Sequence, residues 1–220
     1  MALLSLLVAA AALLPSQALG IDPPNSFREK THAEIFPHDL VVPIEGYTLD
    51  IPSWFVRVHP NAPEVLLNGT IQEVERQAIA LNPNWKQDIS NSPTSGHLDK
   101  RAFFRREKLQ CRETTRKEWT EAKVSAILKG IDHLRGTPCR PARPATGKTC
   151  ERVSCSENSA IWWCNDSGQQ KFLDTYGEIA DGAIYILAHC RIIEIGRIAY
   201  VIGQAFHEDN WNVIVRDAWC

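Results

Sequence analysis

Residues 151–164 read Glu151-Arg152-Val153-Ser154-Cys155-Ser156, then a polar turn Glu157-Asn158-Ser159, then Ala160-Ile161-Trp162-Trp163-Cys164. Two short runs of β-branched, aromatic and cysteine residues around a polar turn predict a β-hairpin, strands 151–156 and 160–164. Working outward, residues 171–190 repeat Phe172, Tyr176, Ile179, Ala183, Leu187 and Cys190 on one helical face. Two further strands follow at 198–206 and 211–215, joined by His207-Glu208-Asp209-Asn210. Upstream, Thr115-Arg116-Lys117-Glu118 has the form of a capping box. Val124, Ile127, Leu128, Ile131 and Leu134 then recur at helical spacing until Gly136. The predicted order is α-β-β-α-β-β. Two helices with one apolar face each suit an α+β, two-layer sandwich, with the helices on one face of an antiparallel sheet.

The cysteines are Cys111, Cys139, Cys150, Cys155, Cys164, Cys190 and Cys220, and none precedes residue 111. The hairpin sets Cys150 opposite Cys164. Cys190, ending the inner helical face, reaches Cys155 in this reading, and Cys111 with Cys220 closes the two ends. Cys139, in the basic Pro/Gly loop 137–149, is left as the odd thiol. Each closed loop contributes roughly 2–4 kcal/mol.

Disulfides belong to oxidising compartments, and the front of the chain agrees. Ala2 to Leu14 is unbroken Ala, Leu, Val and one Ser, followed by Pro15 and Ala18-Leu19-Gly20. That is an apolar core, a helix breaker and a small-x-small cleavage site, so residues 1–20 read as a signal peptide and the product as secreted and extracellular.

Residues 21–101 are Pro-rich, cysteine-free and acidic, with seven Lys/Arg against eleven Asp/Glu (7 − 11 = −4), whereas 102–220 carry seventeen against fifteen (+2). One helix is clear in this front part. Thr70-Ile71-Gln72-Glu73 forms a capping box, Ile71, Val74, Ala78 and Leu81 share a face, and Asn82-Pro83 ends it. The two compositions meet at Leu98-Asp99-Lys100-Arg101, a dibasic pair of the kind cut by kexin-type proteases of the fungal secretory pathway. Arg105-Arg106 is a second such pair. Residues 21–101 are accordingly expected to be a propeptide and 102–220, about 119 residues, the cysteine-rich mature domain. Asn68-Gly69-Thr70 and Asn165-Asp166-Ser167 are glycosylation sequons.

Catalytic patterns are thin. His207-Glu208-Asp209 is the sharpest cluster, able in principle to move a proton or hold a metal, but its composition is that of a solvated turn. His189 reads as a helix-end packing residue. No zinc spacing, HExxH, GxSxG or phosphate-binding glycine loop occurs, so neither metal nor cofactor is expected. Trp162 and Trp163, adjacent on a strand, face opposite ways, so one belongs to the core and the other becomes a candidate partner contact, with Trp211 and Trp219 near it. Arg135, Arg140, Arg143, Lys148 and Arg152 form a weak basic patch suited to acidic lipid or cell-wall polymers. A net charge of +2 is too small to argue for nucleic acid.

The segments Arg152-Val153-Ser154-Cys155-Ser156, Ser159-Ala160-Ile161-Trp162-Trp163-Cys164-Asn165-Asp166, Ile179-Ala180-Asp181-Gly182-Ala183, Gly203-Gln204-Ala205-Phe206-His207 and Asp209-Asn210-Trp211-Asn212-Val213-Ile214-Val215 resemble small secreted cysteine-rich fungal proteins, mostly effector candidates. Gly69-Thr70-Ile71-Gln72-Glu73-Val74 is similar to their propeptide region, so the resemblance spans 68–220. More distantly, the layout resembles KP4-like killer toxins of fungi in pattern rather than in any shared motif. Those resemblances imply an antifungal or plant-affecting toxin or effector; the expected target is a host or competitor cell surface, a membrane protein or a cell-wall polymer, and the protein is expected to be a monomer. The alternative is a secreted hydrolase, most simply a ribonuclease with His207, Glu208 and Arg216 as its catalytic groups, and a structural cell-surface protein is the third option.

Overall fold

A computed structural model describes residues 41–90, 101–142 and 144–220. The expected signal peptide, Lys100 and Arg143 lie outside these residues.

The predicted hairpin is the centre of the molecule. Strands β7 (Thr149–Ser156) and β8 (Ser159–Asn165) pair antiparallel, with Cys150 facing Cys164. Glu157 and Asn158 turn the chain with φ of 51° and 55°, the left-handed pair that a tight hairpin turn requires. Strand β12 (Trp211–Asp217) pairs with β8, β11 (Gly203–His207) pairs with β12, and β4 (Leu109–Cys111) lines the edge beyond β11. At the opposite edge β1 (Thr48–Asp50) pairs parallel to β7, completing six strands in the order β1-β7-β8-β12-β11-β4.

Two three-stranded sheets join this one. In the first, β10 (Ile198–Val201) lies between β5 (Ala122–Lys123) and β9 (Ile193–Ile195). In the second, β2 (Ser53–Val56) lies between β3 (Val65–Asn68) and β6 (Cys139–Pro141). The α+β class stands; the element order is richer than α-β-β-α-β-β, and the main sheet is mixed rather than antiparallel. The expected strand 198–206 is two strands in two sheets, because buried Ile202 turns the chain from one into the other.

Among the described residues the helices are α1 (Ile71–Leu81), α2 (Trp85–Ser90), α3 (Val124–Gly136) and α4 (Gly177–His189), with a 3-10 turn at Arg106–Lys108. The Thr70–Glu73 capping box forms, with Glu73 accepting from the Thr70 amide at 2.7 Å. The Thr115 box does not. Residues 122–123 are taken up by pairing with Tyr200 and Val201, so α3 begins only at Val124. Likewise, Lys171 is tied to Ala145 in an isolated bridge, which delays α4 to Gly177 and leaves Phe172 exposed.

Val153, Ile161, Trp163, Val213 and Val215 make one face of the large sheet and share a core with Ile127, Ile131, Ile179, Ala183 and Ile186 of the helices. Helix α4 sits so close to the sheet that a Cβ on Gly182 would come within 2.5 Å of the Val213 side chain. The opposite face carries Cys150, Trp162, Cys164 and Ile214, covered by Ile44 and Trp119.

Residues from both sides of the Lys100-Arg101 seam build the first core. Trp54, Val56, Val58, Ile71, Val74, Ala78 and Trp85 lie in it beside the helices of the cysteine-rich half. The change of composition is therefore no boundary between compact units, since Asp39–Cys220 forms one of them. Residues 1–40 lie outside the described residues.

Candidate functional site

Three disulfides form: Cys111–Cys190, Cys150–Cys164 and Cys155–Cys220, with Cys139 free. Only the hairpin pair matches the sequence-based assignment. The pairings Cys155–Cys190 and Cys111–Cys220 fail because of a register shift between Arg152 and Ser154. A bulge places one extra residue on the strand and reverses the facing of everything after it. Val153 and Ser154 both turn toward the helices, and Cys155 is sent to the far face. There the C-terminus arrives beside it, because Asp217 pairs with Ser159. Cys190 instead meets Cys111, which is held opposite Gly203 on β11.

The polar residues that stand out are those joining the two parts of the chain. Asp166 accepts from the Tyr47 hydroxyl at 3.0 Å and from Asn212 Nδ2 at 2.6 Å, while Gln204 donates to Asn212 Oδ1 at 3.0 Å. Lys148 reaches the Tyr47 hydroxyl and the Asp166 carbonyl. Burial raises the Asp166 pKa, and hydrogen bonds from Tyr47 and Asn212 oppose that rise without cancelling it. Tyr47 is pushed up to about 12, first by desolvation and then by the Asp166 charge and hydrogen bond. Gln204 and Asn212 lie in segments quoted for the resemblance, yet their joint role needed the register of β11 on β12 to appear.

On the helix side, Glu75 of α1 contacts His133 Nδ1 at 2.6 Å, accepts from Thr137 Oγ1 at 2.8 Å and pairs with Lys86 at 3.2 Å. Burial works against its charge, but these partners outweigh that and hold its pKa below the ordinary carboxylate value. Gln72 binds the bulge itself, donating to Ser154 Oγ at 2.8 Å and accepting from the Cys155 amide at 3.0 Å. Just after the seam, the Ala102 amide donates to Asp181 Oδ2 at 2.8 Å, and Arg135 bonds the other oxygen of that carboxylate.

The residues proposed for hydrolysis are not brought together. His207 stacks on Trp211, with centroids 4.5 Å apart, and meets Phe104 edge-on, while Glu208 pairs with Arg105 at 2.5 Å. Arg216 lies five positions beyond Trp211 on the same strand, roughly 17 Å away at strand rise, with its guanidinium over Trp119. His189 contacts the Tyr185 carbonyl and stacks on its ring. Among the described residues, no cluster of His, Cys, Asp or Glu could hold a metal ion.

Trp162 and Trp163 do face opposite ways, but both are buried, as is Trp211, so the expected aromatic contact reduces to exposed Trp219. The described basic residues are engaged as well. Arg140 pairs with Glu64 and covers Phe55, and Arg152 lies over Trp162 and donates to the Trp219 carbonyl. On the β9–β10 hairpin, Ile195 and Ile198, directly paired, are 67% and 43% exposed.

Of the two sequons, Asn68 is exposed. Asn165 is buried, and its Nδ2 donates to the carbonyls of Ala145, Thr146 and Gln169. A glycan on that nitrogen would displace the loop it holds.

Fold and site together define a disulfide-stapled α+β protein whose halves interlock through polar clasps, and among the described residues no helix is long and apolar enough to cross a membrane. No protein family, no curated protein and no solved structure matches this chain.

Proposed function

We propose that this is an exported, toxin- or effector-like protein of fungal type, processed after Arg101, that acts outside the producing cell by binding the surface of a host or competitor cell. The observation that carries the reading is the set of three disulfides, which persist only in an oxidising compartment. The separation of His207 and Glu208 from Arg216 supports binding over hydrolysis. The outward Ile195–Ile198 pair is the contact surface this reading assigns.

The test is to add the purified secreted protein to host tissue and to competing fungal cells, following cell association and growth, with RNA as a parallel substrate. Saturable association with one cell type, weakened by Ile195→Asp, is the expected result. RNA digestion that disappears in His207→Ala would overturn the binding reading.

A further inference from the structure

We propose that cutting the Arg101–Ala102 bond does not release the front segment but converts the chain into a two-chain protein, in which the new terminal ammonium of Ala102 docks on Asp181. The inference rests on the processing reading above and extends it to the product of the cut.

The reaction is a hydrolysis. The C–N bond between Arg101 and Ala102 breaks, water supplies hydroxyl to the Arg101 carbonyl, and the freed amine of Ala102 takes up a proton. Arg101 is exposed, so a protease can reach the bond. The next residue is already anchored: the Ala102 nitrogen that would become the ammonium stands 2.8 Å from Asp181 Oδ2. The Asp181 side chain is only 12% exposed, and Arg135 occupies its other oxygen. Ala102 and Phe104 pack against the core, which holds the terminus in place. A charged donor at the same nitrogen makes a stronger bond to a carboxylate than the neutral amide does.

The front segment has no covalent reason to stay, since no cysteine occurs in residues 21–110. It has many physical ones. β1 is a strand of the main sheet, β2 pairs with β6, and Trp119 donates to the Pro43 carbonyl at 3.1 Å. Trp54 is fully buried against Tyr176, whose hydroxyl donates to the Ser53 carbonyl. Losing residues 41–90 would open the helix face and part of the opposite face together.

The purified full chain is cut in solution with a kexin-type protease. The two fragments are expected to co-elute on native gel filtration and to separate on a denaturing gel without reductant. At pH 7 the Ala102 amine should acylate about tenfold more slowly than a free terminus, equivalent to roughly one unit of added basicity. A variant with one Ser inserted between Arg101 and Ala102 leaves Asp181 and Arg135 untouched, and its displaced terminus should regain the free rate, as should that of Asp181→Asn. If 102–220 elutes alone, or the inserted terminus labels no faster than Ala102, the inference is wrong while processing stands. A bond that resists the protease, with secreted material lacking an Ala102 terminus, removes the processing reading and the inference with it.

Discussion

Trp54 and Tyr176, from opposite sides of the dibasic seam, hold their rings 3.7 Å apart between centroids at an angle of 32°. The indole donates to the Gly69 carbonyl at 2.7 Å, so both its apolar surface and its one polar atom are satisfied. Truncation to alanine removes that packing and leaves a cavity between α4 and the β2 sheet. Trp54→Ala is expected to cost about 3–5 kcal/mol in urea unfolding. Residues 102–220 expressed alone are expected to lack fixed near-UV circular dichroism; a native-like spectrum from that fragment would contradict the shared core.

The two sequons are expected to behave oppositely. Asn165 uses its amide nitrogen three times inside the protein, and Ser167 donates to its oxygen at 2.8 Å. Peptide mass mapping of the secreted protein should find a glycan at Asn68 and none at Asn165. Asn165→Ala should destabilise by roughly 1–3 kcal/mol, the cost of leaving buried partners unpaired, whereas Asn68→Gln should change little beyond mass.

The contrast shows what could be read from the chain. The β7–β8 hairpin was legible because alternation and turn chemistry are local, and Cys150 opposite Cys164 followed from them. The cores of α3 and α4 were legible from helical spacing, but their starts were not, since Lys123 and Lys171 are held by partners distant in sequence. Cys155 went astray through one bulge, which alternation alone cannot announce. In the front segment, strands of three or four residues are too short to show a period. Their pairing with β7 and β6 is a tertiary effect, and so is the Tyr47–Asp166 contact.

Cysteine chemistry gives a third expectation. Cys139 lies in a short strand between α3 and β7, partly buried, with its pKa raised by burial and by the nearby Glu75 charge. A thiol so placed reacts poorly, because the thiolate is the nucleophile. Iodoacetamide at pH 8 should leave the native protein unlabelled and modify Cys139 once it is unfolded without reductant. Peptides mapped in the same experiment should link Cys111 to Cys190 and Cys155 to Cys220; rapid native labelling, or a Cys155–Cys190 link, would contradict the structure.

Tyr47 supplies a titration that reports on the clasp directly. Its phenol is raised from 10.0 to about 12, chiefly by desolvation and then by Asp166. A group whose folded pKa is raised favours the protonated fold, so its contribution is complete below pH 10. That contribution declines as pH climbs through the folded value near 12. The Tyr47 phenolate should therefore form late in ultraviolet titration at alkaline pH. The late phase should vanish in Tyr47→Phe and move toward pH 10 in Asp166→Asn, where the neighbouring charge is gone but the amide can still bond. A native Tyr47 that ionises near pH 10 would mean the residue 47 strap does not rest on the sheet.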